Sequence, residues 1–226
     1  MRSPESLSAL IGKIEDITRD ITDATAQLAR NIEQAALAQP TCAPEMFLQN
    51  AVKATLQQHI KSTLTQTPWC SGAGFASHIE STAYWLLEWW YKRGAADEQA
   101  NLELDQATQQ RLDFRAFEWF SYAPASGQPR IHGPYVDYIC NTAYTLTSAL
   151  AVYGRGVFLG VAAVDVLVSR LEKALLPHVG EQRVVLTNTE RRIIFSTCPR
   201  RHIGDLMEDE APEPVYQNDY FLIYPL

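Results

Sequence analysis

Apolar residues along the chain form two long runs that are separated by a glycine turn. The runs cover residues 144–153 and 157–164, and the Gly-Arg-Gly segment 154–156 lies between them. Both runs contain β-formers and small residues but no charge, and glycine accepts the positive φ of a tight turn. This pattern predicts an antiparallel hairpin. After Asp165, apolar residues predict a helix over residues 166–176.

A narrow apolar stripe marks the first thirty residues. Ser3 and Pro4 suit a helix start, and apolar residues then recur at alternating steps of three and four. Two interpretations stay open: the helix lies along its own domain, or the stripe is the seam of a homodimer. The stripe consists of Leu7, Leu10, Ile14, Ile17, Ile21, Ala24 and Leu28.

The remaining segments predict a mixture of helices and strands. Helices are expected at 46–64 and 112–122, and strands at 75–79, 83–91, 183–187, 192–196 and 219–224, with loops at 68–74, 94–110 and 201–217. Strand 83–91 is apolar on both faces, which predicts a central strand covered on both sides.

Glu88 and Trp90 lie in the densest aromatic segment, Tyr84 to Tyr91. A buried carboxylate needs partners or takes up a proton. The first interpretation is that Glu88 pairs with Arg93 or with a backbone amide. The second is that Glu88 and Trp90 contact a ligand.

Asp165 follows an almost entirely apolar run and precedes the predicted helix. An Asp at this place can cap the helix by accepting its first amide protons. The same carboxylate can also face a pocket and accept a hydrogen bond from a ligand. The two roles do not exclude each other.

Length, charge and cysteines limit the function classes. The 226 residues carry a net charge of −7 and no long Lys/Arg run, which argues against a nucleic-acid surface. The four cysteines form no Cys-x-x-Cys pair, so neither metal nor disulfide is expected. No apolar stretch is long enough for a membrane span, and the N-terminus is too charged for a signal peptide. We therefore expect a cytoplasmic protein without a membrane anchor.

Enzyme motifs are missing from the sequence. It contains no Gly-x-Ser-x-Gly elbow and no phosphate loop, and its histidines are scattered. Cys140 lies close to a β-run, where small apolar packing is the expected role. Asp137 and Asp165 could serve acid–base chemistry, but no nucleophile stands beside them. No catalytic residue and no cofactor is predicted.

Three segments in order resemble one family. These are Asp113 to Phe120 with its Arg and Trp, the Pro-Tyr-Val-Asp segment 134–137, and the Gly-Val-Ala-Ala-Val-Asp segment 160–165. Together they resemble the Cache (PAS-like, PDC-type) small-molecule sensor domains over about residues 67–177. The resemblance implies an antiparallel PAS-like sheet, a ligand pocket and a long first helix that often pairs.

The resemblance also implies site residues. It supports Trp119, Tyr135, Asp137 and Asp165 as ligand contacts, with aromatic walls and acidic acceptors that suit an ammonium group. Arg115 could clamp a carboxylate, but the family's arginine stands two residues before the tryptophan. That position is Phe117 here. An amine, a polyamine or an uncharged metabolite therefore fits as well as an amino acid.

The sequence thus predicts an α+β, PAS-like fold with long N-terminal helices. Residues 1–66 are expected to form the helical region, 67–180 the sensor core, and 181–226 a β-hairpin with an acidic tail. The predicted function is small-molecule sensing, with output through a homodimer or a regulatory protein partner. The alternatives are an enzyme on this fold that uses Asp137 and Asp165, and a scaffold without a ligand.

Overall fold

The computed structural model describes residues 7–94, 96–207 and 212–226. The helix start expected at Ser3 and Pro4, and part of the loop expected at 201–217, lie outside these ranges. The described chain forms an α+β fold with a long first helix and antiparallel sheets, as predicted. None of its helices combines the length and the apolar composition that a membrane crossing needs.

Five α-helices and ten strands make up the described chain. The helices are α1 (Ser8–Leu37), α2 (Asn50–Gln66), α3 (Gln106–Leu112), α4 (Glu118–Ser121) and α5 (Val168–Val179). The first six strands are β1 (Gly72–Ile79), β2 (Tyr84–Arg93), β3 (Glu98–Asn101), β4 (Arg130–Asp137), β5 (Ala143–Gly154) and β6 (Val157–Leu167). The last four are β7 (Val184–Asn188), β8 (Ile193–Ser196), β9 (Tyr216–Gln217) and β10 (Phe221–Pro225).

These elements form two sheets, in the orders β3-β2-β1-β6-β5-β4 and β8-β7-β10-β9. By their contacts the described residues fall into two compact units. The first unit comprises the described residues of Met1–Asp20, Gly133–Leu146 and Val166–Leu226. The second comprises those of Ile21–His132 and Thr147–Asp165. The sequential division into residues 1–66, 67–180 and 181–226 stays a prediction.

The predicted hairpin is present as β5 and β6. Arg155 and Gly156 form its turn with φ angles of 50° and 80°, which is the positive-φ pair that a tight hairpin turn requires. The structure corrects the boundary that follows. Strand β6 continues to Leu167, and α5 begins only at Val168.

The apolar stripe of α1 is buried within the single chain. Ile14, Ile17 and Leu28 are 1%, 2% and 0% exposed. In the second unit, Thr25 donates a hydrogen bond to Ser148 of β5 over 2.8 Å. These side chains therefore form core rather than a dimer seam, and the expected homodimer, which stays a prediction, would need another surface.

In the second unit, both faces of β1 and β2 are covered. On one face Phe75 packs against Phe47, with ring centroids 4.7 Å apart, and α2 lies on this side. On the other face Trp85 contacts Phe114, with centroids 4.7 Å apart. The prediction of a covered strand at residues 83–91 is thus confirmed.

Several predicted boundaries were wrong. Residues 72–74, expected in a loop, open β1, and residues 98–101, also expected in a loop, form β3. The single helix expected over 112–122 is replaced by short pieces at Phe114–Ala116, Glu118–Ser121 and Ala123–Ala125.

Candidate binding site on the sheet of the second unit

Asp165 lies on a strand and does not cap a helix. It is 3% exposed and lies opposite Gly72 in the antiparallel β1–β6 ladder. The N-cap residue of α5 is Leu167, and no side chain caps that helix. The capping interpretation is therefore wrong, and the carboxylate belongs to a face of the sheet.

Thr147 orients the Asp165 carboxylate. The hydroxyl of Thr147, on β5, donates a 2.6 Å hydrogen bond to Oδ1 of Asp165. Neighbouring residues of a strand point to opposite faces, so Thr147 lies on the face opposite Ser148 and α1. A hydroxyl that donates to one oxygen of a carboxylate holds that side chain in one orientation.

The second carboxylate oxygen of Asp165 and the indole of Trp89 lie close to Gly72, which has no side chain. A Cβ placed on Gly72 would lie 3.1 Å from Oδ2 of Asp165 and 3.1 Å from Nε1 of Trp89. Trp89 is 5% exposed, and its indole nitrogen is buried with no hydrogen-bond partner among the described residues. Two polar atoms of opposite hydrogen-bonding character thus converge on one point.

Trp119 packs beside Trp89 and supplies an aromatic wall. It is 7% exposed, and its ring centroid lies 5.9 Å from that of Trp89 and 6.4 Å from that of Phe114. The ring of Phe117, at the position of the family's arginine, lies 6.2 Å from Trp119. The described part of this wall is therefore built from Trp and Phe rings.

Arg115 points to other partners. Its Nε donates to Asp113 over 3.0 Å, its Nη1 lies 3.6 Å from Glu80, and its guanidinium carbon lies 4.5 Å from the Trp85 ring centroid. The hydrogen bond from Arg115 lowers the pKa of Asp113. Arg115 and Trp119 belong to separate short helices, although the sequence predicted one helix over both.

Glu88 and Trp90 lie on the opposite face of the sheet. Ladder partners share a face, and Glu88 pairs with Phe75, whereas Trp89 pairs with Gly74. The expectation that Glu88 and Trp90 share a ligand with Asp165 and Trp119 is therefore wrong.

The partners of Glu88 also differ from the expected Arg93. Its Oε1 accepts from Gln57 and from the Trp90 indole, both over 3.0 Å, and its Oε2 lies 3.5 Å from the Lys53 ammonium. Its carboxylate is thus held by side chains of α2 and by its own strand.

Tyr135 and Asp137 belong to the first unit. Asp137 is 7% exposed, and its Oδ1 accepts the backbone N–H groups of Ile139 and Cys140 over 2.9 and 3.2 Å. Its carboxylate therefore organises the turn that follows β4. Tyr135 lies on β4 and is half-buried.

The described residues contain no group of three or more His, Cys, Asp or Glu side chains placed to hold a metal ion. All four cysteines are described, and none forms a disulfide. The site combines the Asp165 carboxylate and the Thr147 hydroxyl with the Trp89 and Trp119 rings. Such a combination of polar groups and apolar walls suits the binding of an organic ligand.

No protein-family model and no curated protein matches the sequence. Solved structures do match the fold. One is a methyl-accepting chemotaxis protein X, at 18% identity and a TM-score of 0.63, over 89% of this chain and 77% of that one. The chain has the fold of a Cache-type chemoreceptor sensory domain.

Two further sensory domains share this fold. The ligand-binding domain of the Campylobacter jejuni chemoreceptor Tlp3 in complex with L-valine matches at 16% identity and a TM-score of 0.61, over 92% of this chain and 74% of that one. The ligand-binding domain of the Pseudomonas aeruginosa PAO1 amino acid chemoreceptor PctC in complex with GABA matches at 15% identity and a TM-score of 0.61. That match covers 97% of this chain and 94% of the chain of that ligand-binding domain. These neighbours are sensory ligand-binding domains rather than enzymes.

Sequence reasoning missed Trp89 as a candidate site residue. The alternation of strand 83–91 placed it on one face with Trp85. Its position beside Asp165, however, depends on the pairing of β2 with β1 and of β1 with β6. The only local signal was the pair Gly72 and Gly74, because a Cβ on Gly74 would collide with the Trp89 ring.

Proposed function

We propose that this Cache-type domain senses a small molecule whose amino group binds Asp165. The observation that carries the proposal is the buried Asp165 carboxylate, oriented by Thr147 and facing the bare Cα of Gly72. Its Oδ1 accepts a hydrogen bond from Thr147, and hydrogen bonds between a carboxylate and a cationic donor are stronger than those between neutral groups. A ligand ammonium group supplies both a charge and several donors.

Trp119 and Trp89 fit the same ligand group. Aromatic faces attract a cation placed over the ring, and the attraction is greater where water is excluded. L-valine and GABA, which two of the neighbours hold, share an ammonium group but differ in their carbon skeleton. An amino group is therefore the ligand feature that this site supports best.

A ligand that also carries a carboxylate would need a basic side chain to bind it. Phe117 replaces the family's arginine, and Arg115 is engaged with Asp113 and Glu80. A ligand without a carboxylate, such as a simple amine or a polyamine, would need no clamp. The roles of Tyr135 and Asp137 as ligand contacts, which the resemblance implies, stay a prediction.

Output is proposed to pass through a homodimer or a regulatory protein partner. A dimer would use a surface other than the buried stripe of α1. A cytoplasmic location is part of the same proposal, and its support is the four free cysteines, which suit a reducing compartment. The proposal assigns no catalytic role to Asp137 or Asp165.

A thermal-shift screen of amines, amino acids, organic acids and purines tests the function, because a ligand that binds only the folded state raises the melting temperature. We expect the best compounds to carry an amino group. Arg115→Ala then separates the ligand classes by calorimetry. Affinity falls about tenfold or more if Arg115 moves to hold a carboxylate, and is unchanged for a simple amine.

The screen contradicts the proposal if only compounds without an amino group stabilise the protein. It also does so if no compound in the four classes shifts the melting temperature at millimolar concentration.

A further inference from the structure

A groove beside β2 lies apart from the Asp165 site. It has a volume of about 660 Å³ and is bounded by the first half of β2, by the segment from Asn101 to Gln109 and by Lys53. All of its lining residues belong to the second unit. Small-molecule sites commonly have volumes of about 300–1,000 Å³, so the groove can hold a metabolite.

An open strand edge forms one wall of the groove. Strand β3 pairs with β2 only from Trp90 to Arg93. Further along, Leu102 donates to the carbonyl of Trp89 over 2.8 Å, and the Gln106 carboxamide bonds both the N–H and the C=O of Trp85, over 3.2 and 2.8 Å.

Leu87 lies between these two partners on the same edge. Backbone groups of alternate residues point to the same side of a strand, so the N–H and C=O of Leu87 point towards the groove. On this outer edge, a side chain covers Trp85 and a loop covers Trp89, but no described strand pairs with Leu87 there; its ladder partner, Ala76 of β1, lies on the other side. The groove therefore offers a backbone donor and a backbone acceptor side by side.

Two buried side-chain oxygens in the groove wall lack donors. They are Oε1 of Gln109 and Oδ1 of Asn101, neither of which has a partner among the described residues. Gln109 is 7% exposed, and its Nε2 donates to the carbonyl of Leu104 over 2.8 Å. That bond fixes the amide orientation and leaves the oxygen as an acceptor. Unsatisfied buried acceptors are uncommon in folded proteins and point to a missing donor.

Carboxylates outnumber cations around the groove. Glu88, Glu103 and Asp105 line it, and among the described residues Lys53, 3.5 Å from Glu88, is the one Lys or Arg in its lining. Such an imbalance in a concave surface raises the local concentration of cations. Charge and unfilled acceptors thus favour the same ligand class.

We propose that the groove is a second binding site, for a small cation rich in N–H donors, an alkylammonium or guanidinium compound. The donors bond the oxygens of Gln109, Asn101 and Leu87, and the positive charge lies among the carboxylates. Glu88 and Asp165 point to opposite faces of the sheet, so the two sites are chemically separate and each can fail without the other.

Calorimetric titration with agmatine, which carries a guanidinium and an ammonium group, tests this site. The titration uses the Asp165→Asn protein, in which amine binding at the proposed sensor site is weakened and contributes less heat. We expect one agmatine per chain, and about tenfold weaker binding after Gln109→Met or Glu103→Lys. Glu98→Lys, the same charge change at an exposed position outside the groove, should leave the affinity unchanged.

Two controls keep the test decisive. 4-Guanidinobutanoate replaces the ammonium of agmatine by a carboxylate and should bind at least about tenfold more weakly. In NMR spectra, the indole N–H signal of Trp85, which lines the groove, should shift as agmatine is added. Glu103 is exposed, so Glu103→Lys remains informative if Gln109→Met does not fold.

Absence of binding at about 10 mM agmatine overturns the proposal. So does equal binding by the Glu103→Lys and Glu98→Lys proteins, or equal binding of the two guanidino compounds.

Discussion

Gly72→Ala places a methyl group at the point where Asp165 and Trp89 converge. The new Cβ lies 3.1 Å from Oδ2 of Asp165, 3.1 Å from Nε1 of Trp89 and 3.3 Å from Cβ of Asp165. Favourable carbon contacts lie at about 3.5–4.0 Å, so the neighbours must move by a few tenths of an ångström. Gly72 is not among the residues with positive φ, so its backbone accepts alanine without strain.

Two opposing terms set the stability change of Gly72→Ala. Crowding in a packed core costs about 1–3 kcal/mol, and the lower entropy of the unfolded chain returns about 0.4–1 kcal/mol. We expect a net loss of about 1 kcal/mol, which lowers the melting temperature by about 2–4 °C for a chain of this size. The protein stays folded, so its binding can be measured.

The effect on binding should be larger. The methyl group takes the position from which a ligand reaches both the carboxylate and the indole N–H. Loss of one charged hydrogen bond costs about 1.5–3 kcal/mol, which is roughly a 10- to 150-fold loss of affinity. Calorimetry with the best amine from the screen measures it.

Gly12→Ala is the matched control. Nothing lies within 4 Å of a Cβ at Gly12, which is in α1. The substitution should leave binding unchanged and stabilise the helix by up to about 1 kcal/mol. If Gly72→Ala binds the amine as tightly as wild type, the ligand does not lie over Gly72 and the assignment of the site is refuted.

Three further predictions concern stability. Burial is the main cause, and the charge of Arg130 the second, that lowers the pKa of His132 from 6.5 to about 4. The free energy of unfolding should therefore fall as the pH drops from 6.5 towards 4. The shift corresponds to about 3 kcal/mol, which solvent screening at the partly exposed ring reduces to about 2 kcal/mol. In denaturant unfolding, His132→Phe should lose less stability than wild type over this pH range, by that amount. Equal pH profiles of the two proteins would contradict the assignment. Ile14→Lys should unfold the chain at every protein concentration, because the substitution places a charge in the core. Circular dichroism and light scattering measure this. A variant that stays folded but changes from a dimer to a monomer would contradict it. Chelator and reductant should leave the unfolding curve unchanged, whereas a drop of several kcal/mol would reveal a structural metal.

The hairpin of β5 and β6 could be predicted because its information is local. Two uncharged apolar runs and a Gly-Arg-Gly turn specify strand, turn and strand. The stripe of α1 was equally visible in the sequence. Its partner was not, because a stripe shows which side chains are buried and not what covers them.

The site residues required information from distant parts of the chain. Asp165 lies where a helix cap would be expected, but pairing with Gly72, 93 positions away, extends β6 beyond it. Gly72 and Gly74 suggested a loop, yet they lie in a strand, where the Trp89 ring leaves no room for a side chain at Gly74 and the Asp165 carboxylate crowds a Cβ at Gly72. Likewise Glu88 pairs with Lys53 and not with Arg93, which is closer to it in the sequence.

Calorimetry of Asp165→Asn tests the proposed sensor function most directly. The substitution keeps the shape of the side chain and an acceptor for Thr147 while it removes the charge that would bind an ammonium group. We predict about thirtyfold or weaker binding of the best amine with little change in melting temperature. Wild-type affinity in Asp165→Asn, together with a much lower melting temperature, would show that this carboxylate stabilises the fold and does not bind the ligand.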